Sequence, residues 1–205
     1  MRVLTWNIHG ARDAPLERIA DDIAAVDADV VCLNEIRRRH GRRLGRALGM
    51  RHYVSSSFVG PYGTAIYTNE PIVWWRRLRF TGVRRIDRRD ATVVKLRDGP
   101  MLAAVHLPVP RGERARNGAE LLAAVPDDAI IAGDLNAMPH DDVPRAFAAR
   151  FEDACVDGAL PTFPADVPRA RIDYVWVPRG SRVGGCGVIR TSSSDHLPVV
   201  VDLDP

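Results

Sequence analysis

The sequence predicts an α/β fold in which two mixed β-sheets pack face to face beneath outer helices. Short apolar runs of strand length recur along the whole chain, segments with helical periodicity stand between several of them, and one junction carries a hairpin signal. The helices argue against an all-β fold. The hairpin argues against a purely parallel sheet.

Taken in order, Arg2 to Trp6 reads as a strand, and Asp13-Ala14-Pro15 opens a helix in which Leu16, Ile19, Ala20 and Ile23 recur at helical spacing. Val30-Val31-Cys32-Leu33 is a continuous apolar run, the pattern of a strand covered on both faces, and Glu35 ends it. Tyr53 to Ser55, Thr64 to Thr68, Ile72 to Phe80 and Thr92 to Leu96 are further strands. Asp98-Gly99 joins the last of these to Met101 through Val105 as a hairpin. A helix is expected over Glu113 to Val125, a buried strand over Ala129 to Ala132 and another helix over Asp141 to Ala149. Pro161, Pro164 and Pro168 mark a loop before closing strands at Ile172 to Val177, Arg182 to Val188 and Leu197 to Val201.

With 205 residues, 46% hydrophobic and 27% charged, the chain is neither disordered nor fibrous and is read as one domain over 1–205, working as a monomer. No apolar run approaches the roughly 18 residues that a spanning helix needs. The chain enters its first strand without a charged-then-apolar leader, so the expectation is a cytoplasmic protein with no membrane span. Cys32, Cys155 and Cys186 are odd in number, scattered and never in a CxxC pair, which suggests neither a disulfide framework nor a zinc site, and Cys32 is expected to be buried.

The formal charge is only +3, yet Lys95 is the sole lysine and every other strong base is arginine, the better bidentate phosphate ligand. Arg37-Arg38-Arg39, Arg42-Arg43, Arg76-Arg77, Arg84-Arg85 and Arg88-Arg89 could form a phosphate-binding face, but solvated surface is the first reading of the last four. Arg37-Arg38-Arg39 is the exception: it follows Glu35 at once and is expected at a cleft rim, as a candidate contact to a phosphate-rich substrate. Trp74-Trp75 is expected to pack against the sheet rather than to stack bases.

Residues able to ligate a metal follow apolar strands repeatedly: Asn7, Glu35, His106, and the pair Asp134 and Asn136. Asp173 lies within Arg171-Ile172-Asp173-Tyr174-Val175-Trp176-Val177, and Asp195-His196 precedes the last strand. Carboxylate and amide oxygens are hard donors that suit Mg²⁺ better than zinc. Singly, each residue has an ordinary structural explanation as a turn residue, a helix-start carboxylate or an Asx-turn. The set in this order does not.

The series Thr5-Trp6-Asn7-Ile8-His9-Gly10, Leu33-Asn34-Glu35-Ile36, Tyr62-Gly63-Thr64-Ala65-Ile66, Val105-His106-Leu107, Gly133-Asp134-Leu135-Asn136, Arg171-Ile172-Asp173-Tyr174 and Ser194-Asp195-His196-Leu197-Pro198 resembles the endonuclease/exonuclease/phosphatase (DNase I-like) superfamily. The resemblance runs from Trp6 to Val201. It implies a four-layered α/β/β/α sandwich of two mixed β-sheets and a Mg²⁺-dependent phosphoester hydrolase, with Mn²⁺ as a substitute. Glu35 would then hold the metal, with Asp195 as a second ligand, while Asn7 would orient that glutamate or bond a phosphate oxygen. Asp134 would position and deprotonate the attacking water, which Asn136 would help to orient. His196 would meet the developing phosphoryl charge, Asp173 would orient His196, and His106 would contact the phosphate or assist the leaving group.

There are departures from the family pattern. Asn34 stands where glutamine is common, His9 where abasic-site endonucleases carry aspartate, and Val109 where they carry asparagine, which weakens a reading as abasic-site repair. Ala137-Met138 disfavours the inositol-phosphatase branch. His9, His40, His52 and His140 have no motif support and are expected in surface or packing roles, and Gly63 serves the backbone between Tyr62 and Thr64. The substrate expected first is a phosphodiester, with nucleic acid among the candidates. The alternatives are a phosphomonoester of a small or lipid-derived molecule, or a catalytically silent nucleic-acid-binding module using the arginine face.

Overall fold

A computed structural model describes residues 1–55, 62–82, 89–156 and 160–204. The first half contains β1 (Arg2–Asn7), α1 (Leu16–Ala24), β2 (Val30–Ile36), α2 (Arg38–Ala47), β3 (His52–Ser55), β4 (Gly63–Thr68), β5 (Ile72–Arg79) and β6 (Asp90–Leu96). The second contains β7 (Met101–His106), α3 (Arg111–Ala124), β8 (Ile130–Asp134), α4 (Asp142–Ala148), β9 (Phe151–Asp153), β10 (Asp173–Pro178), β11 (Val183–Val188) and β12 (Val199–Leu203).

The strands form two six-stranded sheets, ordered β11-β12-β1-β2-β4-β3 and β5-β6-β7-β8-β10-β9. Each is mixed for the same reason. β1 and β2 are parallel and are joined through α1, and β7 and β8 are parallel and are joined through α3, since a parallel pair needs a crossover. The remaining pairs are antiparallel. Residues of α1 and α2 pack on the outer face of the first sheet, around Trp6, Leu33 and Tyr67. Residues of α3 and α4 pack on the outer face of the second, around Val105, Ile131 and Trp176. A third apolar cluster, including Val3, Val30, Cys32, Ile66, Leu102, Ile130 and Val175, fills the seam between the sheets. The order of layers is therefore α/β/β/α.

Side-chain alternation along the strands fixes where polar groups can gather. Val3 of β1, Val30 and Cys32 of β2, Leu102 and Ala104 of β7, Ile130 and Ala132 of β8, and Val175 and Val177 of β10 face the seam. Continuing the same parity brings Asn7, Asn34, His106, Asp134 and Asp173 to one end of it, and all five are buried. The polar groups of these strands thus gather at one end of the seam, and a largely apolar cluster fills the rest.

Several expectations need correcting. The segment after Glu35 is not only a cleft rim but the start of α2, which buries His40, Gly41, Leu44 and Gly45. β9 was not expected either. Trp74 and Trp75 are not packed away: β5 is an edge strand, and they remain 44% and 49% exposed. Cys155, just after β9, is disulfide-bonded to Cys186 of β11, so a covalent bond joins the free edges of the two sheets, contrary to the reading from cysteine spacing. Their separation of 31 residues in sequence carries no signal; the fold brings them together. Cys32 is free and buried, as expected. Arg84, Arg85 and Arg88 lie outside the described residues. Among those described, no helix is long and apolar enough to cross a membrane.

Candidate active site

The polar end of the seam is organised around Asp134, the last residue of β8. Its carboxylate oxygen Oδ2 accepts a hydrogen bond from Asn7 Nδ2 (3.1 Å), lies 3.2 Å from His106 Nε2 and is 3.9 Å from His196 Nε2. Its other oxygen accepts from the Asn136 backbone N–H at 2.8 Å. Burial alone would raise the Asp134 pKa, but His106, His196 and the Asn136 amide together hold it well below the usual carboxylate range. Asp134 is therefore ionised throughout the neutral range.

His196 presents its other nitrogen, Nδ1, to Asp173 Oδ2 at 2.8 Å, and that oxygen also accepts from the Thr162 hydroxyl at 2.6 Å. The imidazole is further fixed by Phe163, whose ring centroid is 4.8 Å away, and its backbone carbonyl accepts from Trp6 Nε1 at 2.8 Å. Burial pushes the imidazole pKa down. Asp173, through charge and hydrogen bond, with Asp134 and Asp195 adding to it, overcomes burial and lifts it to about 10. The ring is a buried cation held next to an ionised carboxylate.

Glu35 reaches the same cleft against the strand's parity. The β2–β4 register advances three residues on β2, Leu33 to Ile36, against two on β4, Ala65 to Gly63, so β2 carries one extra residue there. Glu35 absorbs it with φ +57°, in the left-handed region. The bulge re-aims a side chain that alternation would send to the outer face. Its carboxylate meets Arg89 Nη1 at 3.2 Å, and although burial raises its pKa, the basic groups around it, the Arg89 guanidinium among them, bring it below the ordinary value. Asn136 is also left-handed, with φ +49°, and its amide donates to the Leu107 carbonyl at 2.9 Å.

The structure thus brings Asn7, His106, Asp134 and Asn136 into one hydrogen-bonded group, sets the bonded pair His196 and Asp173 against it with His196 Nε2 3.9 Å from Asp134, and ties Glu35 in through Arg89. Asn7 contacts Asp134 rather than Glu35. Asp195 stands apart from this group at the rim, where its carboxylate lies 3.7 Å from His9 Nδ1, and His9 is also 2.7 Å from Asp13. Of the three expected substrate arginines, Arg37 is half-buried and donates to the Tyr62 hydroxyl at 3.3 Å. Arg38 and Arg39 are exposed on α2.

Sequence reasoning passed over several participants. His9 is part-exposed beside Asp13 and Asp195, in a turn with φ values of +45°, +64° and +54° at His9, Gly10 and Ala11. Arg89 was one of many arginines. Asn34 donates to the Val105 carbonyl at 2.8 Å and accepts from the Asp134 backbone N–H at 3.0 Å, stitching the two sheets together behind the site. Its seam-facing parity was the available clue.

Among the described residues, two groups could place three ligand atoms within 4.8 Å of one another: His9, Asp13 and Asp195 at the rim, and Asp134, Asp173 and His196 inside. The inner group is committed to hydrogen bonds among its members and with Thr162, Asn7 and Asn136. The carboxylates of Asp13 and Asp195 in the rim group are hard oxygen donors of the kind that a divalent cation takes, whereas Glu35, a donor of the same kind, belongs to neither group and is paired with Arg89.

The sequence matches the Endonuclease/Exonuclease/phosphatase family over residues 4–196. The chain belongs to this family. Its members are hydrolases of phosphoesters. A crystal structure of a family protein from Beutenbergia cavernae is 26% identical, with a TM-score of 0.82, covering 99% of this chain and 71% of that one. A mannosyl-6-phosphatase from Bacteroides thetaiotaomicron is 18% identical with a TM-score of 0.82, covering 100% and 99%. The human Nocturnin catalytic domain with bound sulfate is 22% identical with a TM-score of 0.75, covering 100% and 93%. These last two show the shared fold. No curated protein sequence is significantly similar.

Proposed function

We propose that this family member is a Mg²⁺-dependent phosphodiesterase, with nucleic acid or a small diester as substrate, and that it acts as a single-domain monomer. The observation that carries the reading is the pairing at Asp134: an ionised carboxylate within 3.9 Å of a histidine whose own carboxylate partner, Asp173, is 2.8 Å away. Asp134 orients the attacking water and takes up its proton as the new P–O bond forms, with Asn7 and the Asn136 amide holding the carboxylate in place. His196, kept protonated by Asp173, meets the charge that develops on the phosphoryl oxygens. His106 donates to phosphate or leaving group, and Arg37, Arg38 and Arg39 line the approach of a polyanion. Glu35 and Asp195 would hold the cation, Mg²⁺ with Mn²⁺ as substitute, which supplies charge neutralisation at the phosphate.

The disulfide favours an oxidising compartment over the cytoplasmic placement expected from the sequence, since such bonds persist there. The test is a panel of plasmid, single-stranded DNA, RNA, small aryl diesters and monoesters, assayed with Mg²⁺ and with chelator, for wild type and Asp134→Asn. Diester turnover that needs Mg²⁺ and disappears in Asp134→Asn is the expected result. Monoesters turned over faster than every diester would replace the reading by a phosphomonoesterase. Salt-dependent nucleic-acid binding without turnover would replace it by a binding module.

A further inference from the structure

Arg89, immediately before β6, extends into the cleft, with Nη1 at 2.7 Å from His106 Nδ1 and 3.2 Å from Glu35 Oε1. A guanidinium has only N–H donors and no acceptor. The contact with His106 therefore requires Nδ1 to offer its lone pair. The opposite nitrogen, Nε2, does not decide the matter by itself, because it faces both an acceptor, Asp134 Oδ2 at 3.2 Å, and a donor, Asn136 Nδ2 at 3.3 Å. With Nδ1 occupied by Arg89, the ring proton lies on Nε2 and points at Asp134. The Asn136 amide then directs one of its two N–H groups to the Leu107 carbonyl, 2.9 Å away, and its other N–H is not accepted by Nε2.

We infer that Arg89 is a positioning residue that sets the tautomer of His106, delivering an Nε2–H donor to the point where the Asp134 carboxylate and a substrate phosphate meet. Glu35 holds the guanidinium in place for this purpose. Asp173 does the converse at His196: a pure acceptor at Nδ1 demands a proton there, whereas a pure donor at the Nδ1 of His106 forbids one. The two histidines that flank Asp134 are thereby given opposite protonation patterns at their Nδ1 atoms by residues of opposite charge.

The consequence for turnover rests on the phosphodiesterase reading, but the tautomer does not. The test is ¹⁵N–¹H correlation spectroscopy of the histidine ring nitrogens in wild type, Arg89→Lys and Arg89→Met. Wild type and Arg89→Lys, both with a donor-only side chain, should show His106 protonated at Nε2 and bare at Nδ1. Arg89→Met should show a second population with the proton on Nδ1, together with a fall in kcat of roughly tenfold or more that Arg89→Lys reverses in part. A wild-type His106 carrying its proton on Nδ1 overturns the inference, whether or not Arg89→Met folds. A single Nε2–H form retained in Arg89→Met also overturns it, assigning the choice to Asp134. If the wild type hydrolyses no phosphoester, the spectra still decide the tautomer, so the two readings fail separately.

Discussion

Replacing Gly133 by alanine tests whether the β7–β8 junction sets the geometry of the candidate site. Gly133 pairs with Val105 one residue before Asp134 pairs with His106, and its φ is +146°, where a side chain is strained. A Cβ built there stands 1.9 Å from the Val105 carbonyl oxygen, and the nearest atoms are backbone, which no rotamer change can move aside. A carbon and a carbonyl oxygen approach to about 3.3 Å at closest, so the two strands must part by about 1.4 Å or the peptide must rotate. Either movement is transmitted directly to the 3.2 Å contact between His106 and Asp134. The backbone strain alone is about 1–2 kcal/mol, and with the disrupted pairing the loss of stability should fall at about 3–5 kcal/mol. For a chain of this size that is a fall in Tm of roughly 10 °C. Displacement of a reacting group by about 1 Å lowers turnover by about a hundredfold. Thermal unfolding and kcat on an aryl phosphodiester measure the two effects. Gly49→Ala is the control, with φ +65° but nothing within 4 Å of its Cβ, and it should lower stability by only about 1 kcal/mol and leave kcat unchanged. A Gly133→Ala protein with the Tm and kcat of Gly49→Ala would refute the reasoning.

Asn34→Ala strips the Val105 carbonyl and the Asp134 N–H of their buried partner at once, and should destabilise by roughly 2–4 kcal/mol in urea titrations. A loss under 1 kcal/mol would mean that the two groups find other partners. The His196 pKa is raised in the folded state, so the stability it contributes is complete below its ordinary value near 6.5 and is lost as pH rises towards about 10. Unfolding free energy should therefore decline between pH 7 and 10 in the wild type and more shallowly in Asp173→Asn. Identical slopes would dissociate Asp173 from the shift. Thiol titration of the denatured, unreduced chain should find one cysteine, Cys32, and three after reduction. Three before reduction would show that Cys155 and Cys186 are not joined.

Most of the sheet architecture is legible in the sequence because the strands are apolar runs that end in a polar residue, and because the two βαβ crossovers leave helical spacing between them. The helix α2 is not. In Arg38–Ala47 the buried face is His40, Gly41, Leu44 and Gly45, at helical spacing, but only Leu44 registers as hydrophobic. The glycines there serve close approach, and the Gly41 carbonyl accepts from the Tyr67 hydroxyl at 3.0 Å. The members of the candidate site were legible as a set, by order and by resemblance, while their connections were not. That Asn7 would hold Asp134 and not Glu35, or that Glu35 would need a bulge, depends on register, which a list of motifs does not contain. Arg89 could not be separated from its neighbours, since a guanidinium aimed into a cleft and one in solvent are the same letter.

The bond between Cys155 and Cys186 encloses the intervening chain, including Asp173, in a covalent ring. A single backbone cut anywhere between those two cysteines would leave both fragments attached. A protein nicked there by a protease would run as an intact chain without reductant and as two pieces with it. The segment bearing Asp195 and His196 would remain tethered to the one bearing Asn7, Glu35 and Asp134, free to reassemble after damage that would otherwise let the halves diffuse apart.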